Sequence, residues 1–313
     1  MHTRPDPVGS VAPAACGITG HALVSARLSE IAALRDRAGP PGAPSLPPRF
    51  LRHCDEHTVV GMHAILAALA ARSGEPAGLS RHAVVAASRR IGRLAAAKTL
   101  TGLATGGGVS VSPHIVPQCS LHSVAGAVSV GLGMRGPHLG VGGGDDALAE
   151  GLFAAITIVH AAAAAGDPPC VWLVATEWDD EPELDDAAAP TSDPVCRALA
   201  LAIEAAAPDS AGQGSSRAAV NRGRAAPPPR AASSTGPALS LSLRFPEIRL
   251  PRIAGLDADG GLAEFARALD MCLEGTALVS WTIECPWGAE IRVARPSGLA
   301  ARAAPAARLL EAA

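Results

Sequence analysis

The chain has 313 residues, of which 48% are hydrophobic and 18% charged, and it carries a formal net charge of -3 at pH 7. That length and apolar content suffice for one large core or two modest ones, and the slightly acidic balance excludes a general attraction to nucleic acid. Seven scattered cysteines without a Cys-x-x-Cys pair, behind a start (MHTRPDPVGSVAP) that lacks an apolar leader, point to reduced thiols in a cytoplasmic protein.

In chain order, residues 14–25 (AACGITGHALVS) read as an opening strand and turn, and 39–48 (GPPGAPSLPP) as a loop. The apolar side formed by Val59, Val60, Met62, Ile65, Leu66 and Leu69 predicts a helix over 55–73. Residues 82–88 (HAVVAAS) predict a buried strand and 89–104 a helix closed by Gly106-Gly107-Gly108. A helix over 124–132, the turn Arg135-Gly136-Pro137 and a short strand at His138 to Val141 come next. A glycine elbow then leads into a largely buried helix that carries Leu148, Leu152, Phe153, Ile156 and Val159, with Asp145 expected as its N-cap. The most apolar run, 151–165, is interrupted by His160 and is too short to span a bilayer, so no membrane span is expected. Residues 169–176 (PCVWLVAT) predict another buried strand, and 177–186, with seven acids, a solvated loop or a contact for a basic partner. Residues 193–206 predict a helix. Beyond the low-complexity stretch 208–237 come a strand at 238–245, a helix at 261–273 and a hairpin from 277–284 and 289–294, then an alanine-rich tail after Arg295 expected to fray. The alternation of strand and helix predicts an α/β layered fold with a partly parallel sheet.

Three groups of residues invite a chemical reading and are outweighed by plainer ones. His53-Cys54-Asp55-Glu56-His57 places two imidazoles four apart but names no third ligand, so it reads as a solvated helix start, with no metal. His63 reads as a surface or core-edge residue. TGGG at 105–108 and GVGGGD at 140–145 match no phosphate-binding pattern, and Asp145 would repel a phosphate. Cys119 and His122 could share a helical face as a nucleophile pair, but helix packing explains them as well. Arg217, Arg222, Arg224 and Arg230 lie in the low-complexity stretch and could touch phosphates. No cofactor is expected.

The run VSPHIVPQCSLHSVAGAVSVGLGMRGPHLGV (111–141) resembles the segment that precedes the nucleophile elbow of β-ketoacyl synthases, within the thiolase-like fold. CGITGHALVS resembles that family's opening strand, LPPRFLRHCDEHTVVGMHAILAALAARSG its early turn and helix, and VWLVATEWDDEPEL a strand of a divergent subgroup that includes chain length factors. The resemblance spans about residues 14–185 and implies a thiolase-like module over 1–207 with a recognisable N-terminal half. It leaves 208–237 as a linker or insertion and 238–313 as a reduced, divergent C-terminal region packing on the module. Active synthases carry a Cys at the elbow and two His in their C-terminal half. Here the elbow is Gly144-Asp145-Asp146, and all ten His lie at or before His160. Condensation needs a thiolate to hold the acyl group and imidazoles for decarboxylation and the oxyanion. The resemblance therefore implies a catalytically inactive subunit similar to a chain length factor. Its partners would be an active β-ketoacyl synthase and, through the complex, an acyl carrier protein, in fatty-acid, polyketide or polyene biosynthesis. It also places His138, Leu139, Val141 and Gly142 at a subunit interface or acyl tunnel. The alternative is an independent enzyme or binding protein for acyl thioesters, with Asp145 or Asp146 as its polar group.

Overall fold

The computed structural model describes residues 15–72, 78–166, 170–205, 239–244, 261–274, 280–285, 288–295 and 310–311. Its strands are β1 (Ala15–Arg27), β2 (Ala83–Arg89), β3 (His138–Gly143), β4 (Val171–Trp178), β5 (Val195–Ala205), β6 (Leu239–Arg244), β7 (Ser280–Glu284), β8 (Glu290–Ala294) and the two-residue β9 (Leu310–Glu311). They form one sheet in the order β3-β2-β4-β5-β1-β6-β8-β7, with β9 against β1. β2 runs parallel to both β3 and β4, whereas β5 is antiparallel to β4 and to β1, so the sheet is mixed and partly parallel, as expected. The expected linker 208–237 and its four arginines lie outside the described residues, as does the tail after Arg295 apart from Leu310–Glu311.

The helices are α1 (Leu28–Leu34), α2 (Glu56–Ala71), α3 (Arg93–Gly106), α4 (Ile115–Gln118), α5 (Ser123–Leu132), α6 (Ala147–Ala164) and α7 (Gly261–Glu274). One apolar cluster joins α1, α2 and α5 to Val84, Ala86, Trp172, Val174, Ala198 and Ala200 on one face of the sheet. The other joins α6 and α7 to Val85, Ala87, Leu173, Leu199, Leu201 and Ile203 on the opposite face. This is an α/β fold of three layers, helix on sheet on helix. The period-two alternation of Val, Ile, Leu and Ala lets each central strand bury both faces, which is why HAVVAAS and VWLVAT read as continuous apolar runs.

The segment expected as a helix over 193–206 is instead β5. Its alanines and leucines favour a helix locally, but the sequence also alternates at period two. Cys196, Ala198, Ala200 and Ala202 face α2, and Leu199, Leu201 and Ile203 face the α6 layer, all fully buried. Pairing on both sides, to β4 and to β1, outweighs alanine's preference for a helix. The small alanine side admits the wide α2, which is buried along most of its circumference.

α6 has the length and mean hydropathy, 1.7, to cross a membrane, the one such helix among the described residues. It packs on the sheet through Ala149, Leu152, Ala155, Ile156 and Val159, the arrangement of a core helix.

Of the run 177–186, expected as a solvated loop, Asp179, Asp180, Glu183, Asp185 and Asp186 are exposed, and the exception lies within β4. Glu177 is buried and accepts the Leu262 backbone N–H at 2.7 Å, capping the start of α7. Burial raises its pKa, and the bond from Leu262 works against that rise. Asp179 accepts Val195 N at 2.7 Å and pairs with Arg197. Replacing Glu177 with alanine is expected to cost about 1–2 kcal/mol, the usual worth of a helix cap, and Glu177→Gln, which keeps an acceptor, less. Thermal melts of both variants check this, and equal losses would remove the capping role.

Candidate functional site

The elbow lies at the carboxyl ends of the parallel strands β2, β3 and β4, where open α/β sheets commonly place their sites. β3 ends on Gly142 and Gly143, with φ of 91° and 98°, a backbone that side chains disfavour. A Cβ at Gly142 would stand 2.7 Å from the Ala147 Cβ, so the strand can turn directly into α6.

Asp145 does not cap α6. The N-cap is Asp146, and its side chain makes no capping bond. The Asp145 carboxylate instead accepts from Arg89 Nε at 2.8 Å and pairs with Arg90 at 3.4 Å. Arg90 also reaches Glu181, which takes Arg93 at 2.7 Å, so acids and arginines alternate across the strand ends. Arg90 itself has φ of 58°, and its N–H is held by the Gly143 carbonyl at 3.1 Å. The Arg89 guanidinium holds the Asp145 carboxyl below the usual aspartate range. A carboxylate so placed is a weak proton acceptor. The arginines come from the last residue of β2 and the one after it, 56 and 55 residues away in the chain, and local reading of the elbow could not supply them.

Of the expected interface residues, Leu139 and Val141 point toward the α6 layer. His138 points the other way and meets His122, with Nδ1 3.1 Å from Nε2. β3 stands at one end of the sheet, so among the described residues its outer edge has no strand beside it. Leu121 and His122, between α4 and α5, lie directly on its face: a Cβ at Gly140 would fall 1.9 Å from the Leu121 carbonyl oxygen.

The nucleophile pair Cys119 and His122 does not form. The Cys119 Sγ–H turns to the Gly92 carbonyl at 3.3 Å, and burial raises its pKa. The stretch 53–57 is not a solvated helix start. Asp55 is buried and caps α2, accepting Thr58 N at 3.0 Å, and burial raises its pKa to about 6. His57 is buried beside Trp178, and burial lowers its pKa to about 4. Its Nδ1 lies 2.9 Å from Thr176 Oγ1, whose hydroxyl donates to Ser88 Oγ at 2.8 Å. Thr176 can then only accept from His57, so the proton sits on Nδ1, and Nε2 is a buried acceptor without a partner. His63, expected at the surface or core edge, is buried and bonds the Leu34 carbonyl. Sequence reading missed this polar network because its members lie on three separate elements. None of the seven cysteines forms a disulfide. Among the described residues no three His, Cys, Asp or Glu gather as a metal site.

No known family model and no curated protein matches the chain. Solved structures do. The structure of a ketosynthase in complex with its chain length factor from Xenorhabdus doucetiae is similar at 17% identity and a TM-score of 0.47, over 90% of this chain and 99% of that one. The ishigamide ketosynthase/chain length factor is similar at 18% identity and a TM-score of 0.38, over 63% of each chain. A β-ketoacyl synthase from Burkholderia phymatum STM815 is similar at 16% identity and a TM-score of 0.40, over 62% of this chain and 59% of that one.

Proposed function

We propose that the chain is a ketosynthase-like subunit without condensing chemistry, similar to a chain length factor. In this reading it pairs with an active β-ketoacyl synthase and serves acyl chain assembly on a carrier protein. The observation that carries the reading is the elbow. The chain keeps a strand, a glycine turn and a helix start, yet the group presented there is the Asp145 carboxylate, neutralised by Arg89 and Arg90. A clamped carboxylate with a lowered pKa can neither carry an acyl group as a thiolate does nor act as an efficient base. That weighs against the alternative of an independent thioester enzyme built on Asp145. The outer edge of β3, beside which no strand lies among the described residues, supports the pairing, since an uncovered strand edge is a template for a second chain. Seven cysteines without a disulfide suit a reducing compartment such as the cytoplasm.

The test is co-expression with an active ketosynthase, followed by size exclusion and a product assay with malonyl-charged carrier protein. A stable one-to-one complex is expected, and its product length should change when Val141 or Leu139 is replaced by a larger or smaller side chain. A chain that neither binds the synthase nor alters its products would overturn the reading. Asp145→Cys is expected to leave the isolated chain without condensing activity, because no imidazole lies beyond His160 in the sequence.

A further inference from the structure

We infer that His122 and His138 form a binding site for a divalent transition-metal ion at the head of β3. Two imidazole nitrogens from separate segments converge there, His122 Nε2 and His138 Nδ1, 3.1 Å apart. Metal–imidazole bonds of about 2.0–2.1 Å, at angles between a right angle and the tetrahedral value, set two bound nitrogens about 2.9–3.4 Å apart. The observed spacing falls within that bite.

The pair is held by its surroundings. With no side chain at Gly140, the backbone of Leu121 and His122 lies against β3. On α5, a Cβ at Gly126 would come 3.4 Å from the His122 ring, so that ring rests against the helix backbone. The rings are tilted by 33° with centroids 4.9 Å apart. The other close histidine pair, His53 and His114, stacks face to face at 5.0 Å with an interplanar angle of 2°, so its nitrogens do not converge on one point. Other histidines are engaged elsewhere: His21 with Asp270, His57 with Thr176, His63 with Leu34 and His82 with Trp172.

Without metal, one ring donates its N–H to the other. On binding, that proton moves to the outer nitrogen of its own ring, and both inner lone pairs face the ion. Two neutral imidazoles select a borderline-soft ion, copper(II) most tightly, then nickel(II) and zinc(II), over magnesium or calcium. His138 is exposed, which leaves the remaining coordination positions open to water or another ligand. This inference does not depend on the proposed pairing with a synthase, because it is read on the isolated chain.

The test uses the full chain. Copper(II) is added at one equivalent and its electron paramagnetic resonance spectrum recorded, and zinc(II) affinity is measured by competition with a chromogenic chelator. Coupling to two imidazole nitrogens is expected. Affinity should fall at least about tenfold in His122→Gln and in His138→Gln, since losing a ligand costs no less than losing an outer-shell partner, and His53→Gln should leave it unchanged. A wild-type spectrum without two-nitrogen coupling, or equal affinity in all four proteins, would overturn the site. The nitrogen count is read on the unaltered chain, so it stands even if a variant folds poorly.

Discussion

Gly140→Ala is expected to destabilise the chain by about 2–4 kcal/mol, well above the effect of most single substitutions. Conformational freedom is not the cause here; space is. The added methyl would stand 1.9 Å from the Leu121 carbonyl oxygen, 2.2 Å from its carbon and 2.7 Å from the His122 nitrogen. These are backbone atoms, which cannot rotate aside as a flexible side chain can. Either β3 leaves its register with β2 or the segment between α4 and α5 lifts off the strand. Gly144→Ala, four residues on, meets nothing within 4 Å and is expected to stay within about 0.5 kcal/mol of the parent. Urea unfolding of the two variants side by side measures the difference. Similar midpoints would mean that the loop does not rest on β3 as described.

The second large effect is a pair of opposed pH dependences at the start of α2. Asp55 titrates at about 6 in the folded chain, above an unfolded aspartate near 3.9. A carboxyl whose folded pKa is raised contributes stability that is full below the unfolded value and lost as pH rises through the folded one, here about 3 kcal/mol between pH 4 and 6. His57 titrates at about 4, below an unfolded histidine near 6.5. Its contribution is full above the unfolded value and lost as pH falls toward the folded one, again about 3 kcal/mol. Across roughly pH 4 to 6.5 the two slopes nearly cancel. Asp55→Asn keeps a capping side chain and removes one slope, so its stability relative to the parent should fall by about 3 kcal/mol from pH 6.5 to 4. His57→Gln removes the other and should gain about the same over that interval. Chemical denaturation at several pH values reads both, and three parallel curves would show that neither group is desolvated as described.

Much of the architecture is legible in the sequence where the signal is local. β2 and β4 follow from unbroken apolar runs, α2 and α6 from apolar residues at helical spacing, and the hairpin of β7 and β8 from its turn. The short strand at His138 and the glycine elbow were also readable, because a turn precedes the one and three glycines mark the other. β5 was not. Its alanines give the same local preference as a helix, and only burial between two strands decides its state. The roles of Asp145, Asp55, His57 and Glu177 were hidden for a related reason. The bond of Asp55 to Thr58 is local, but its burial is not, and Asp145 against Arg89, His57 against Thr176 and Glu177 at the start of α7 are meetings that no spacing within a window of sequence encodes.

The pairing of β1 has a consequence for the birth of the chain. β1 is made well before its neighbours in the sheet, which are β5, beginning at Val195, β6, beginning at Leu239, and the short β9 at Leu310–Glu311. At synthesis rates of about 5–20 residues per second, the strand waits on the order of ten seconds or more for the first of them. Through that interval α1 and α2 can cover Ala22, Val24 and Ala26 on one face of the strand, but both rows of its main-chain groups lack their native partners. Nascent chains halted before residue 195 should therefore associate with holdase chaperones, and release should coincide with emergence of β5.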